Sequence, residues 1–413
     1  MSGRWLALVE SNTTGTGRLF VRAARDLGFR SALLSADASR YDYLGAEEVE
    51  VVRVDTNDEE ALLEACRRLA DDGGLAGVTS SSEYFIARAA AVARRLDLRG
   101  PDPTAVSDCR DKGLQREHLR EAGVGVPSFR VADSMAAALN AARFVGLPAV
   151  VKPVSGTGSS GVLLCHNLSE VMAHSGRLLE QADNERGLPS PRRVLVEQLA
   201  QGPEFSVETF GTEVIGVTRK HLGEPPHFVE TGHDFPCLFE SAEGADIERA
   251  AVAALRALNL TWGPAHTELR LTDEGPKIIE VNPRLAGGMI PELVRLSCGA
   301  DLVSETIRAV TGRPRAAVQA TRRFASIRFV VPASQGCLAA VRGLREAVVL
   351  PGVADVRVYA RPGDRLERRN DFRDRVGHVI AVGETPDEAK VRAERALGSI
   401  KLTFAESAEG ALV

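Results

Sequence analysis

Short apolar runs, broken by turn residues, alternate with amphipathic stretches along the first hundred positions of the chain. "RWLALVES" (4–11), "RSALLSAD" (30–37) and "LAGVTSS" (75–81) read as strands. Between and after them, "GRLFVRAARDLG", "DEEALLEACRRLADDG" and "EYFIARAAAVARRLDL" repeat apolar residues at helical spacing. Strands alternating with helices predict a parallel sheet covered on both faces, a Rossmann-like unit over residues 1–102. Its first turn, "SNTTGTG", has two glycines but lacks the G-x-G-x-x-G spacing, so a plain strand-to-helix turn is expected rather than a dinucleotide site. "RGPDPTAVSDCRDKG" carries two prolines and no sustained apolar period, which predicts a boundary near residue 102.

Beyond that boundary the pattern changes. "LQREHLREAG" and "SMAAALNAARFVG" predict helices, and "VPSFRVAD", "LPAVVKPV" and "GVLLCH" predict strands, followed by a helix from about Leu168 to Asp183. "RRVLVEQL", "EFSVETFG" and "TEVIGVTRKH" predict three more strands, and "EPPHFVETGHDFPC" reads as a loop lining a site. After a helix from about Asp246 to Leu258, "GPAHTELRLTDEGPKIIEVNPRL" alternates about a central turn and predicts a hairpin. "MIPELVRLSCG" and "ADLVSETIRAVTG" predict helices that close this region. The last hundred residues supply the strands "FASIRFVV", "VADVRVYA" and "RVGHVIAVGE" and a helix from Thr385 to about Ser399. The fold class is therefore α/β (α+β), with a central unit over 103–312, divided near 192, and a final unit over 313–413.

Composition narrows the chemistry. A net charge of -5 leaves no basic surplus for a long nucleic acid, so no nucleic-acid partner is expected. "MSGRWLALVES" ends its apolar run at Glu10 and resembles neither a signal peptide nor a membrane span; a cytoplasmic protein with no membrane partner is expected. The six cysteines form no C-x-x-C pair, so neither a zinc ribbon nor a redox dithiol is suggested, and reduced, mostly buried thiols are expected. Of 51 basic residues only six are lysines, so a lysine in an apolar run carries information.

Lys152 stands at the end of such a run, ahead of the loop Ser155–Gly161 with its three glycines and four hydroxyl residues. Backbone N–H groups of a glycine-rich turn, together with a cation, can hold a phosphate. In a Walker A loop the lysine follows the last glycine and enters a helix; here the loop joins two strands, as a flap over a triphosphate would. By itself the segment fits a hairpin loop with a solvated lysine equally well. A second group lies on the predicted hairpin, where Glu280 and Asn282 share one face and Glu268 joins them if the strands pair in register. Two carboxylates and an amide oxygen suit magnesium, whose shell is completed by water and substrate phosphates. Alternatively they are carboxylates on a solvated face, although the polar Asn282-Pro283-Arg284 after "KIIEV" reads as a site rim.

These stretches together resemble the ATP-grasp superfamily, and within it the carboxylate-amine ligases of the L-amino acid (dipeptide) ligase type. The resemblance covers about residues 1–312, and "RVGHVIAVGETPDEAKVRAERAL" looks like the tail domain of those enzymes. It implies an ATP-grasp fold and an ADP-forming ligase that joins an amino acid carboxylate to the amine of a second through an acyl phosphate, giving a dipeptide or γ-glutamyl-type amide. It implies ATP and two magnesium ions as cofactors, with manganese able to substitute, and small amino acids as partners; a homodimer would be unsurprising. Carried over by position, Lys112 and Lys152 match the phosphate-contacting lysines, under the loop that includes Ser155, Gly156, Gly158, Ser159 and Ser160. Glu197, Gln198 and Leu199 match the hinge that reads adenine, and Glu204 the carboxylate that holds the ribose. Glu268, Glu280 and Asn282 match the metal ligands, and Arg284 the arginine that steadies the transferred phosphate. Glu230 and His233 resemble substrate-pocket positions, with His233 also a catalytic candidate, and Gly287 and Gly288 either leave room for a second substrate or serve as turn glycines. A carboxylating enzyme that activates bicarbonate and a non-catalytic nucleotide-binding protein remain as alternative readings.

The implied first step brings a carboxylate against a triphosphate. At about 4 Å and an effective dielectric of about 20, one pair of unit charges costs on the order of 4 kcal/mol. Lysines, an arginine and divalent ions at one point would offset several such terms. A lysine's compact ammonium on a long stem can follow a moving phosphate, whereas arginine's fork fixes an orientation.

Overall fold

The computed structural model describes residues 3–12, 16–184, 186–316 and 322–405. The middle of the turn "SNTTGTG", at 13–15, lies outside the described residues.

The first sheet is parallel, with strands in the order Val49–Arg53, Arg30–Ser35, Trp5–Val9 and Leu75–Thr79. Residue alternation along the first strand divides two cores. Leu6 and Leu8 pack with the helix Thr16–Asp26 and with Ile307 and Val310 of the helix Leu302–Thr311. Trp5, Ala7 and Val9 pack with the helices Glu59–Asp71 and Ile86–Arg95. One face is thus covered from a part of the chain almost three hundred residues away. The segment around residue 102 carries more structure than its prolines suggest: Asp102 caps a helix over Pro103–Cys109, with Pro103 at its first turn, where a missing N–H costs nothing.

A small antiparallel sheet follows, in the order Phe129–Ala132, Val194–Gln198, Ala149–Pro153 and Leu163–Cys165, backed by the helices Met135–Val145 and Leu168–Glu180. The second helix stops at Glu180, short of Asp183. Facing it is an eight-stranded antiparallel sheet: Gly275–Asn282, Pro264–Thr272, Glu204–Phe210, Glu213–Leu222, Glu230–Phe235, Phe324–Val330, Gly377–Gly383 and Val353–Val358. "VETGHDF" is therefore not loop. Glu230–Phe235 is a central strand bonded to both neighbours, and its polar residues are held by charged partners across the sheet. Because that strand pairs with Phe324–Val330, the C-terminal part continues the same sheet.

A third small sheet, Arg365–Leu366, Gly336–Arg342 and Lys401–Phe404, was not visible in the hydropathy pattern. All six cysteines are free; Cys66, Cys109 and Cys165 are buried, while Cys237 and Cys298 are half-buried and Cys337 is exposed, fewer buried than expected. Among the described residues no helix is long and apolar enough to cross a membrane.

Candidate active site

The two sheets close on a cleft beneath the glycine-rich loop. Asp111 caps the helix Lys112–Glu121, accepting from the N–H groups of Gly113 (2.8 Å) and Leu114 (3.1 Å), and so sets Lys112 at the first helical position. Positions 112, 115, 116 and 119 form the inward stripe of that helix, but three of the four are polar. Gln115 clasps the backbone of Val281, donating to its carbonyl (3.0 Å) and accepting from its N–H (2.9 Å). Arg116, fully buried, donates to Glu197 (3.1 Å). A helix fastened in this way holds the Lys112 ammonium 2.9 Å from Glu280 and 3.0 Å from the carbonyl of Gly156.

Lys152 is not solvated. It is 4% exposed and its ammonium lies 2.5 Å from Glu197, whose carboxylate stays ionised: burial raises its pKa, but Lys152 and Arg116 outweigh that and lower it. Lys220 is buried as well, between Glu204 (3.0 Å), Glu230 (2.7 Å) and Glu268 (3.0 Å). Burial disfavours its charge, yet these three carboxylates hold its pKa well above the ordinary value. Arg270 adds a second cation to Glu204 at 3.0 Å. His266 bridges Glu208 and Glu268, each at 3.0 Å, and despite burial the two acids raise its pKa to about 9.

In the hairpin Glu268 stands directly opposite Glu280, and Asn282 opposite His266, so the predicted register is present. Asn282 is buried, and among the described residues its side chain has no hydrogen-bond partner. No three His, Cys, Asp or Glu residues cluster in metal-holding geometry among the described residues. The oxygen set is therefore two carboxylates and one amide. The cleft is lined by four cations, Lys112, Lys152, Lys220 and Arg270, against five carboxylates, Glu197, Glu204, Glu230, Glu268 and Glu280. A polyanion entering it gains no net attraction from the side chains alone, so the donor set fits a divalent ion arriving with its ligand.

The loop over this cleft is docked. Ser159, at φ +62°, donates its hydroxyl to the carbonyl of Phe228 at 2.8 Å, and Thr157 donates to Glu83 at 2.9 Å. Gly158, at φ +59°, is a required glycine: a Cβ there would stand 2.4 Å from the ring of Phe372. Gly156, Gly158, Ser159 and Ser160 line the cleft with Glu197, Gln198, Leu199 and Glu204; Ser155 does not.

Thr157, Gly158, Glu230 and Glu268 also line a second cleft, so the two spaces adjoin. Arg284, Gly287, Gly288 and His233 belong to this second space. Arg284 is gripped through Nε (3.0 Å) and Nη2 by Glu83 of the N-terminal sheet region, and donates Nη1 to the carbonyl of Leu285 (2.9 Å). Glu83 is buried, which opposes its charge, but Arg284 and Arg110 outweigh burial and bring its pKa down to about 2. His233 is 1% exposed, and burial lowers its pKa to about 3 despite Glu230 at 3.5 Å. Its ring packs edge-on against Phe329 and over Gly288, where a Cβ would meet Nε2 at 2.7 Å. A neutral imidazole of this kind offers one hydrogen-bond donor and one acceptor and carries no charge near pH 7.

The structure thus gathers the sequence candidates into two adjoining clefts, with Ser155 and Asn282 just outside their linings. Sequence reasoning missed Glu83, Arg116, Lys220, Arg270 and Arg375. For Lys220 a signal existed: lysine is rare here, and three of the six are buried at this one site.

A glycine-rich loop docked over buried lysines, between two antiparallel sheets, is the arrangement expected of the grasp-type enzymes. Comparisons with known proteins agree. The ATP-grasp domain model matches residues 145–292, and the model for L-amino acid ligase C-terminal domain 2 matches residues 328–405. An uncharacterized protein, y4rH, of Sinorhizobium fredii is 40% identical over 395 residues, covering 96% of this chain and 82% of that protein. Carnosine synthase 1 of Gallus gallus is 29% identical over 327 residues, covering 73% of this chain, which spans only 34% of that longer protein. The crystal structure of an L-amino acid ligase from Bacillus licheniformis has the same fold, with a TM-score of 0.83 at 22% identity and coverage of 98% and 99% of the two chains. The chain belongs to the ATP-grasp superfamily and, within it, to the ATP-dependent carboxylate-amine ligases of the L-amino acid ligase type.

Proposed function

We propose that the chain activates the carboxylate of one amino acid with ATP and joins it to the amine of a second, releasing ADP and phosphate. The observation that carries this reading is the adjoining of the two clefts through Glu230, Glu268, Thr157 and Gly158; a nucleotide held in the first would end against a separate substrate space in the second.

Adenine sits against the backbone of Glu197, Gln198 and Leu199, with its ribose near Glu204. Lys112 and Lys152 hold the phosphates under the loop of Ser155, Gly156, Gly158, Ser159 and Ser160. Glu197 fixes the Lys152 ammonium, so the cation is in place before the nucleotide arrives. Glu268, Glu280 and Asn282 would hold magnesium, two ions in the resemblance, and when bound it supplies the positive charge that draws in and neutralises phosphate oxygens. A carboxylate oxygen of the first amino acid attacks the γ-phosphorus in line, the bond to ADP breaks, and an acyl phosphate forms. Arg284, oriented by Glu83, steadies the transferred phosphoryl group and then the tetrahedral adduct. The amine of the second amino acid attacks the acyl carbon, losing a proton, and phosphate leaves with the oxygen that was the carboxylate's. Glu230 and His233 hold the substrates, Gly287 and Gly288 leave them room, and the docked loop keeps water from the acyl phosphate.

Phosphate release measured with each of the twenty amino acids, singly and in pairs, tests the reading. Release that requires particular amino acids, with a dipeptide or γ-glutamyl-type amide in the products, supports it. Release driven by bicarbonate, or none under any condition, refutes it.

A further inference from the structure

The C-terminal part reaches the substrate cleft through one short segment. Asp371 caps the turn Phe372–Asp374, accepting from the Arg373 N–H at 2.9 Å, and the Asp374 carboxylate accepts from the N–H groups of Arg369 and Asn370, each at 2.8 Å. Both acids are buried, so the turn is set by its own hydrogen bonds rather than by a ligand. Phe372 donates its N–H to the carbonyl of Gly158 at 3.0 Å, which ties the turn to the closed loop. Next in the chain comes Arg375, lining the cleft, its guanidinium over Phe329 at 4.5 Å. Nη1 donates to Glu230 (2.7 Å) and Nε to the carbonyl of Phe372 (3.3 Å), while Nη2 has no partner among the described residues.

The amino acid that supplies the amine keeps its own carboxylate ionised throughout the reaction, and a charge taken into a cleft needs a partner. Arg284, with Nε and Nη2 on Glu83 and Nη1 on Leu285, is given to the transferred phosphoryl group in the reading above, and Lys220 is shared among three carboxylates. Arg375 has a donor to spare and a planar fork suited to a carboxylate. We propose that Arg375 anchors the free carboxylate of the amine-donating amino acid, so that the C-terminal part supplies a specificity residue to the reaction. The inference rests on the ligase reading above.

The test uses the full chain with saturating ATP and acyl donor, varying the amine donor either as the free amino acid or as its α-carboxamide. Arg375→Ala is expected to raise KM for the free acid about 10- to 100-fold, the value of a charge-assisted hydrogen bond, with kcat nearly unchanged and KM for the carboxamide unmoved. Arg375→Lys recovers part of the loss and carries the comparison if the alanine variant does not fold. An equal rise for acid and carboxamide would mean that Arg375 only braces Glu230 and would overturn the proposal. So would an acid-selective loss that appears instead in Arg186→Ala, a cleft arginine with no carboxylate partner among the described residues. Amino-acid-dependent turnover in the unaltered chain is the control for the ligase reading; its absence overturns that reading and the proposal with it, whereas turnover indifferent to residue 375 overturns the proposal alone.

Discussion

Replacing Lys220 by Met should be among the most damaging single changes in the molecule. The ammonium sits 2.7–3.0 Å from Glu204, Glu230 and Glu268, so the three bonded oxygens lie no more than about 6 Å from one another. At an effective dielectric of about 20, each pair of carboxylates at that separation repels by about 3 kcal/mol. Arg270 on Glu204, His266 on Glu268 and Arg375 on Glu230 remain as partial counter-charges. The net expectation is a loss of about 3–5 kcal/mol, as for removing one partner from a buried ionic group. Urea denaturation at pH 7, followed by circular dichroism, measures it. Lys220→Arg should not rescue the fold, since a planar fork cannot meet three acids arranged around one point. A loss under about 1 kcal/mol for Lys220→Met would refute the reasoning, because the three acids would then be stable without their shared cation.

Three further outcomes rest on the same geometry. Lys152→Ala should abolish phosphoryl transfer with the fold retained, and ATP hydrolysis and ligation at unaltered rates would count against the role given to that ammonium. Glu83 has its pKa lowered from 4.5 to about 2, so its stabilisation is complete above pH 4.5 and is lost as pH falls through 2. Glu83→Gln should therefore cost about 3 kcal/mol at pH 6, since each tenfold change in proton affinity is worth about 1.4 kcal/mol, with the gap to the unaltered chain closing as pH drops below 4.5; a gap that does not change with pH contradicts this. At Gly287 a Cβ meets nothing within 4 Å and φ is not in the left-handed region, so Gly287→Leu should keep the melting temperature while raising KM for bulky substrates; a lost fold or unchanged selectivity disagrees.

Much of the fold could be read from periodicity because the helices and most strands bury one face each, and burial imposes the 3.6- and 2-residue repeats. The strand Glu230–Phe235 escaped because it sits mid-sheet with Glu230, His233 and Asp234 on it, and a strand whose polar groups are held by charges across the sheet has no apolar signature. The helix Pro103–Cys109 was hidden by its proline pair, of which Pro103 serves as a helix starter. At the site, Lys152 was legible because it closes an apolar run, and Glu268, Glu280 and Asn282 because strand alternation groups them. Glu83 and Arg375 were not, since their partners Arg284 and Glu230 lie 201 and 145 residues away and no local pattern links them. Lys220, flanked by Arg219 and His221, reads as an exposed strand end; only the scarcity of lysine set it apart.

The central claim is that an acid oxygen passes to phosphate through an acyl phosphate. Ligation run with an amino acid whose carboxylate carries oxygen-18, with the released phosphate analysed by mass spectrometry, tests it most directly. The account predicts one labelled oxygen in each phosphate formed per amide bond, whereas unlabelled phosphate accompanying product would contradict it.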